Sequence, residues 1–122
     1  MSDFIKNCEE KIDRFIKLIY QETKSFPKEE TYNMTSQLRR ASVSVMLNYV
    51  EGYARFKTKV YLNFLETSYG SLKESMYLVR LGRDLNYIND DNYQKIFDLG
   101  DEIGKMLYHT INIKRDDVEN SN

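Results

Sequence analysis

The stretch QLRRASVSVMLNYVEGYAR, Gln37 to Arg55, sets the strongest limit on what this chain can fold into. Unwound at about 100° per residue, as an α-helix requires, it aligns Gln37, Arg40, Ser44, Asn48, Glu51 and Arg55 in a single polar line. Nearly everything else on the helix is apolar or aromatic. Met34, Leu38, Ala41 and Val45 lie on one flank of the line, Val43, Leu47, Val50 and Ala54 on the other, and Met46, Tyr49 and Tyr53 around the back. An ordinary amphipathic helix buries a stripe of about 100° or somewhat more, and this one inverts that proportion. One core cannot cover so much surface.

Two arrangements satisfy such a helix. In the first the polar line faces water, and the wide apolar arc is shared between the core and a subunit interface. In the second the line is buried, and Arg40, Ser44, Asn48 and Glu51 satisfy one another or a facing helix, because an unpaired buried polar group costs about 1 to 3 kcal/mol. Both imply that the chain self-associates. The buried version draws on Gly70 to Glu74, GSLKE, whose small residues permit close backbone approach and whose Glu74 is a partner for Arg39 or Arg40. A polar network of that kind fixes how two helices mesh.

The remaining sequence supplies three more helices. With one proline and five glycines in 122 residues, long helices are favoured over strands and turns. Ile5, Cys8, Ile12, Phe15 and Ile19 step by three and four, the spacing of one helical stripe. Phe26-Pro27 ends that helix, and Pro27 suits the first turn of the next. Thr58 is a candidate N-cap for a third helix, with an inner stripe of Tyr61, Leu65, Ser68, Leu72, Met76 and Val79. Asn86 to Asn92 reads as a loop in which Asn89 or Asp90 caps a fourth helix carrying Tyr93, Ile96, Phe97, Gly100, Ile103, Leu107 and Ile111. The expected helices are about 3–25, 27–56, 58–86 and 90–114, followed by a polar tail, 115–122, with too little apolar surface to order itself. Short connections between helices of similar length predict an all-α, antiparallel up-down-up-down four-helix bundle.

Catalytic sets are missing from the sequence. The single histidine, His109, and the single cysteine, Cys8, supply neither clustered metal ligands nor a nucleophile-base pair. Only Glu51 beside Glu74 would make an acid pair. The expectation is a protein that is not an enzyme and holds no cofactor and no metal. Lys6, Glu9, Glu10 and Asp13 break the N-terminal segment, unlike a signal peptide, and no apolar run is long enough to span a bilayer. A soluble, cytoplasmic protein with no membrane partner is expected.

Charge is polarised along the chain although it sums to -1. From Gln37 to Lys59, Arg39, Arg40, Arg55, Lys57 and Lys59 stand against Glu51 alone, whereas the segment from Asp91 onward is acidic. A basic end bearing Tyr53, Phe56 and Tyr61 is a surface that holds phosphates and stacks bases. Arg39, Arg55, Lys57 and Lys59 are therefore the candidate nucleic-acid contacts, and Arg40, Ser44, Asn48, Glu51 and Glu74 the structural polar network. The leading reading is a homo-oligomeric scaffold or adaptor that associates with RNA or a ribonucleoprotein. The alternative is a module that docks a protein partner without nucleic acid.

The run FPKEETYNMTSQLRRASVSVMLNYVEGYAR, followed by YLNFLETSYGSLKESMYLVRLGRDLNYI, resembles the bacterial four-helix proteins encoded in intervening sequences of large-subunit ribosomal RNA genes. The accessory variability determinant proteins of diversity-generating retroelements are relatives in the same superfamily. The resemblance covers about residues 10 to 113 and rests on Phe26-Pro27, Gln37-x-x-Arg40-Ala41, Ser44-x-x-x-Asn48, Glu51-Gly52, Arg55 and Gly70-Ser71-Leu72-x-Glu74. It implies an antiparallel bundle assembled into a ring, typically a homopentamer. For the retroelement members it also implies a reverse transcriptase partner and binding of RNA or DNA through a basic surface. Arg40, Ser44, Asn48, Glu51, Arg55 and Glu74 match the family's signature positions. The chain departs from the pattern at Met46-Leu47 and Tyr49-Val50, where smaller residues are usual, and in its slightly acidic balance.

Overall fold

A computed structural model describes residues 2–121. It contains four α-helices, α1 (Asp3–Thr23), α2 (Met34–Tyr53), α3 (Thr58–Asp84) and α4 (Asp90–Asn120), and a single 3-10 turn at Lys28–Glu30. Among the described residues there is no strand. Each helix packs on two neighbours in cyclic order, α1 on α2, α2 on α3, α3 on α4 and α4 on α1. Cys8, Ile12, Phe15 and Ile19 of α1 and Leu38, Val45 and Tyr49 of α2 are buried in the shared core. Leu65, Leu72 and Val79 of α3 and Ile103 and Leu107 of α4 complete it. Among the described residues, no helix is long and apolar enough to cross a membrane.

The helix ends follow from local chemistry. Ser2 caps α1 by accepting from the Ile5 N–H at 3.2 Å, and Asn89 caps α4 by accepting from the Asn92 N–H at 2.8 Å, as the loop composition predicts. Helix α3 ends at Asp84, and the chain turns at Asn86, the one non-glycine residue with positive φ (64°) among those described. There the Tyr87 N–H donates to the Gly82 carbonyl at 2.8 Å and the Asn86 N–H to the Arg83 carbonyl at 2.9 Å. This is the Schellman arrangement, with Asn standing where glycine is commonest.

Several expected boundaries are corrected. Helix α1 ends at Thr23 rather than 25, α3 at Asp84 rather than 86, and α2 spans Met34–Tyr53 rather than 27–56. Pro27 does not open α2. It precedes the 3-10 turn, because Phe26 plugs the core at 7% exposure and the Tyr87 hydroxyl donates to Glu30 at 3.0 Å, tying this loop to the α3–α4 connection. Thr58 is the first residue of α3 and provides no side-chain cap. The segment expected to be an unordered tail instead continues α4 to Asn120. Val118 is half-buried against the core, and Arg115 reaches Glu66 of α3 at 3.5 Å, so the polar segment has anchors that composition alone does not reveal.

The tightest seam lies between α2 and α3, where small residues let the backbones close. The Ser68 hydroxyl donates to the Val45 carbonyl at 2.7 Å with both groups buried. Gly52 opposes α3 so closely that a Cβ there would stand 2.9 Å from Tyr61 Cδ1 and 3.2 Å from Phe64 Cβ. No described buried side-chain nitrogen or oxygen lacks a hydrogen-bond partner. Replacing Gly52 by Val should therefore force this seam apart and lower stability by about 1 to 3 kcal/mol, read as a fall in the urea midpoint at unchanged slope. An unchanged midpoint would mean that the seam yields without cost.

Candidate interaction site

The polar line of α2 divides into separate parts. Ser44 and Asn48 are half-buried at the α3 seam. Ser44 Oγ lies 2.8 Å from Ser71 Oγ, and Asn48 Nδ2 donates to the Ser44 carbonyl at 2.9 Å and to Ser44 Oγ at 3.0 Å. The Ser44–Ser71 bond joins the two helices near mid-length, and the Asn48 bonds, within α2, hold Ser44 in place. One turn on, Glu51 of α2 pairs with Arg55 just past the end of the helix, and Arg55 lies 5.0 Å over the Phe64 ring. Both members of that pair are largely exposed, so its contribution to stability is small.

Glu74 does not join this network. It is exposed, and it makes no ion pair or hydrogen bond with Arg39, Arg40 or any other described residue. Arg39 turns the other way, donating to Thr23 Oγ1 at 2.8 Å and lying 4.7 Å over the Tyr20 ring of α1. Arg40 is exposed, with no ionic partner among the described residues. Glu51 and Glu74 make no acid pair either. Gly52 faces Tyr61 and Phe64, which leaves Glu51 about ten residues, or ~15 Å, from Glu74 along α3.

The candidate nucleic-acid contacts are likewise dispersed. Lys57 in the α2–α3 connection and Lys59 in the first turn of α3 are exposed, near Phe56, whose side chain is fully exposed. Arg55 at that end is held by Glu51, and Arg39 is about 24 Å away, sixteen residues up the helix. Helix α4 brings its acidic end alongside the start of α3, where Lys114 Nζ lies 5.7 Å from the Tyr61 ring centroid. Exposed Asp116, Asp117 and Glu119 follow it on the same helix. The positive charge read from residues 37–59 is thus spread along α2 and its exit, and among the described residues no ion pair joins an acid of α4 to any of it.

What the outer surface of α2 does hold is apolar. Leu47 is 63% and Val50 47% exposed, with half-buried Val43 one turn before Leu47. Val43 and Leu47 of this ridge, with Arg40, Ser44 and Tyr20, border an open groove of about 380 Å³ between α1 and α2. The opposite flank of the polar line, Met34, Leu38, Ala41 and Val45, is buried. The single helix therefore carries one apolar flank inside and one outside.

Sequence reasoning also missed a buried phenol cluster. The Tyr53 hydroxyl donates to the Tyr49 hydroxyl at 2.6 Å, and the Tyr49 hydroxyl donates to the Ile5 carbonyl at 3.2 Å. Tyr61 packs against Tyr53 with ring centroids 5.4 Å apart. The i, i+4 spacing of Tyr49 and Tyr53 was a readable signal. Tyr61, from another helix, was not. Burial pushes the Tyr49, Tyr53 and Tyr61 phenols and the Cys8 thiol above their ordinary ranges.

Comparison with known proteins adds the lineage. The family model described as 23S rRNA-intervening sequence protein matches residues 7–109. A solved structure of a protein with unknown function from the S23 ribosomal protein family of Bacteroides thetaiotaomicron is similar in fold, with a TM-score of 0.81. It is 20% identical over 89% of this chain and 98% of that one. No curated protein matches the sequence.

The phenol cluster generates a pH prediction. Because folding raises these phenols above the unfolded value of about 10, their contribution to stability is complete below that pH and is lost as pH rises through the folded values. The thermal midpoint should hold between about pH 7 and 9 and fall above about 10, less steeply in Tyr53→Phe. Ultraviolet titration should show a fraction of the ten tyrosines resisting ionisation until the chain unfolds. Uniform ionisation of all ten in the folded protein would contradict this.

Proposed function

This chain belongs to the 23S rRNA-intervening sequence protein family, and from that premise we propose that it is a non-enzymatic, self-assembling helical scaffold. The supporting observation is the exposed ridge Val43–Leu47–Val50 on α2. Fully burying a leucine or valine side chain contributes about 1.5 to 3 kcal/mol, so a continuous ridge of this kind favours association. The chain is an antiparallel up-down-up-down bundle in this reading. Support comes from Arg39 meeting Thr23 while Tyr49 meets Ile5, a pairing that gives α1 and α2 opposite senses. The family resemblance favours closure into a ring of five.

RNA association at the α2–α3 connection is a second reading, favoured by exposed Phe56 between Arg55 and the pair Lys57 and Lys59. Repetition of this tip around an oligomer would multiply a modest affinity.

Light scattering or sedimentation equilibrium should give a mass several times the 14.6 kDa of one chain. Leu47→Glu should shift it to the single-chain value at unchanged helical circular dichroism. A wild-type protein that remains a single chain at every concentration overturns the scaffold reading. For RNA, binding to single strands should weaken with salt, and Lys57→Glu with Lys59→Glu should flatten the log–log slope by about 0.7 per lost phosphate contact. Absence of binding at low salt would eliminate the second reading.

A further inference from the structure

Four of the five glycines pack against neighbouring side chains, three of them too closely for an unadjusted Cβ. A Cβ on Gly52, Gly82 or Gly100 would stand 2.9, 3.0 or 3.1 Å from its nearest neighbour, and one on Gly104 would touch Leu72 at 3.5 Å. Gly70 is the exception. A Cβ there would meet nothing within 4 Å. It lies well inside α3, is exposed, and has no positive φ that would call for glycine. An exposed glycine in a helix interior costs about 1 kcal/mol relative to alanine, and nothing within the chain repays it here.

We propose that Gly70 is the seat on which the α2 ridge of a second copy packs, with Leu47 as the side chain that fills it. The inference rests on the self-assembly reading and goes further by naming the two matching surfaces. Ridge and seat are complementary in shape, since Leu47 is the most exposed large apolar side chain on α2 and Gly70 offers bare backbone. Small residues are what allow helices to approach closely enough for such a contact.

Charge supports the same pairing. Arg40 lies two turns before Leu47, Glu74 lies one turn after Gly70, both are exposed, and neither has an ionic partner among the described residues. Let α2 of one copy run along α3 of the next in the opposite sense, as α2 and α3 run within one chain, where Ser44 meets Ser71 and Gly52 meets Tyr61. With Leu47 on Gly70, Arg40 then falls about 10 Å along α3 in the direction of Glu74, which is itself about 6 Å along. The difference of about 4 Å is within the reach of an arginine side chain. The reverse sense would carry Arg40 away from Glu74.

The test measures association by sedimentation equilibrium, with circular dichroism as the folding control. Gly70→Leu, placed where a side chain meets open space, should fold and run as a single chain. Gly70→Ala should raise the dissociation constant while raising the thermal midpoint of the dissociated chain. Arg40→Glu and Glu74→Arg should each weaken association at low salt by about tenfold or more, and the double variant should restore it. If wild type associates and Gly70→Leu keeps its mass, the proposed seat is wrong and self-assembly stands. A charge-swapped double variant weaker than both singles would likewise rule out the seat while leaving self-assembly intact. If wild type is a single chain throughout, the self-assembly reading falls and this inference with it.

Discussion

The close approach of α2 to α3 is the constraint on which the rest of the molecule depends. It is made by small residues, Gly52 opposite Tyr61 and Phe64, Ser68 bonded to the Val45 carbonyl, and Ser44 against Ser71. Because the polar line of α2 is partly consumed at this seam, the helix is rotated so that Leu38, Val45 and Tyr49 enter the core. The same rotation leaves Val43, Leu47 and Val50 outside. The exposed ridge follows from satisfying the polar groups first.

The seam also explains why the polar line does not act as one unit. Ser44 and Asn48 sit deep enough to need partners and find them locally, whereas Arg40 and Glu51, nearer the helix ends, reach water. Desolvation is costly only where water is excluded, so the network narrows to the residues at the seam. Charge follows a similar rule. Basic residues close in sequence along α2 are spread over the length of a helix, and the one cation among them with an ionic partner in the described residues, Arg55, is held by Glu51. Net charge counted in a window of sequence is therefore a weak guide to a surface patch.

Much of the fold was legible. The stripe Cys8, Ile12, Phe15 and Ile19 is buried as its spacing requires, and Asn89 caps α4 as the Asn/Asp-rich loop suggests. Phe97, expected on the inner stripe of α4, is 37% exposed, because its neighbour Ile96 takes the core position. The start of α2 and the end of α4 differ from expectation for one reason. Each depends on contacts with residues remote in sequence, Tyr87 for the 3-10 turn and Glu66 for Arg115. The expected bond from Glu74 to Arg39 or Arg40 does not form because Arg39 has a nearer acceptor in Thr23 and a ring to lie over in Tyr20.

By itself, then, the sequence determined the number and type of elements and the excess of apolar surface on α2. Periodicity and breaker residues are local properties that each segment carries with it. Only the tertiary structure decided which flank of α2 is spent on the core, which polar residues are joined, and that Gly70 alone among the glycines faces open space. Those outcomes turn on the rotation of one helix against another, which is set by side chains meeting across the seam and is written in no single segment.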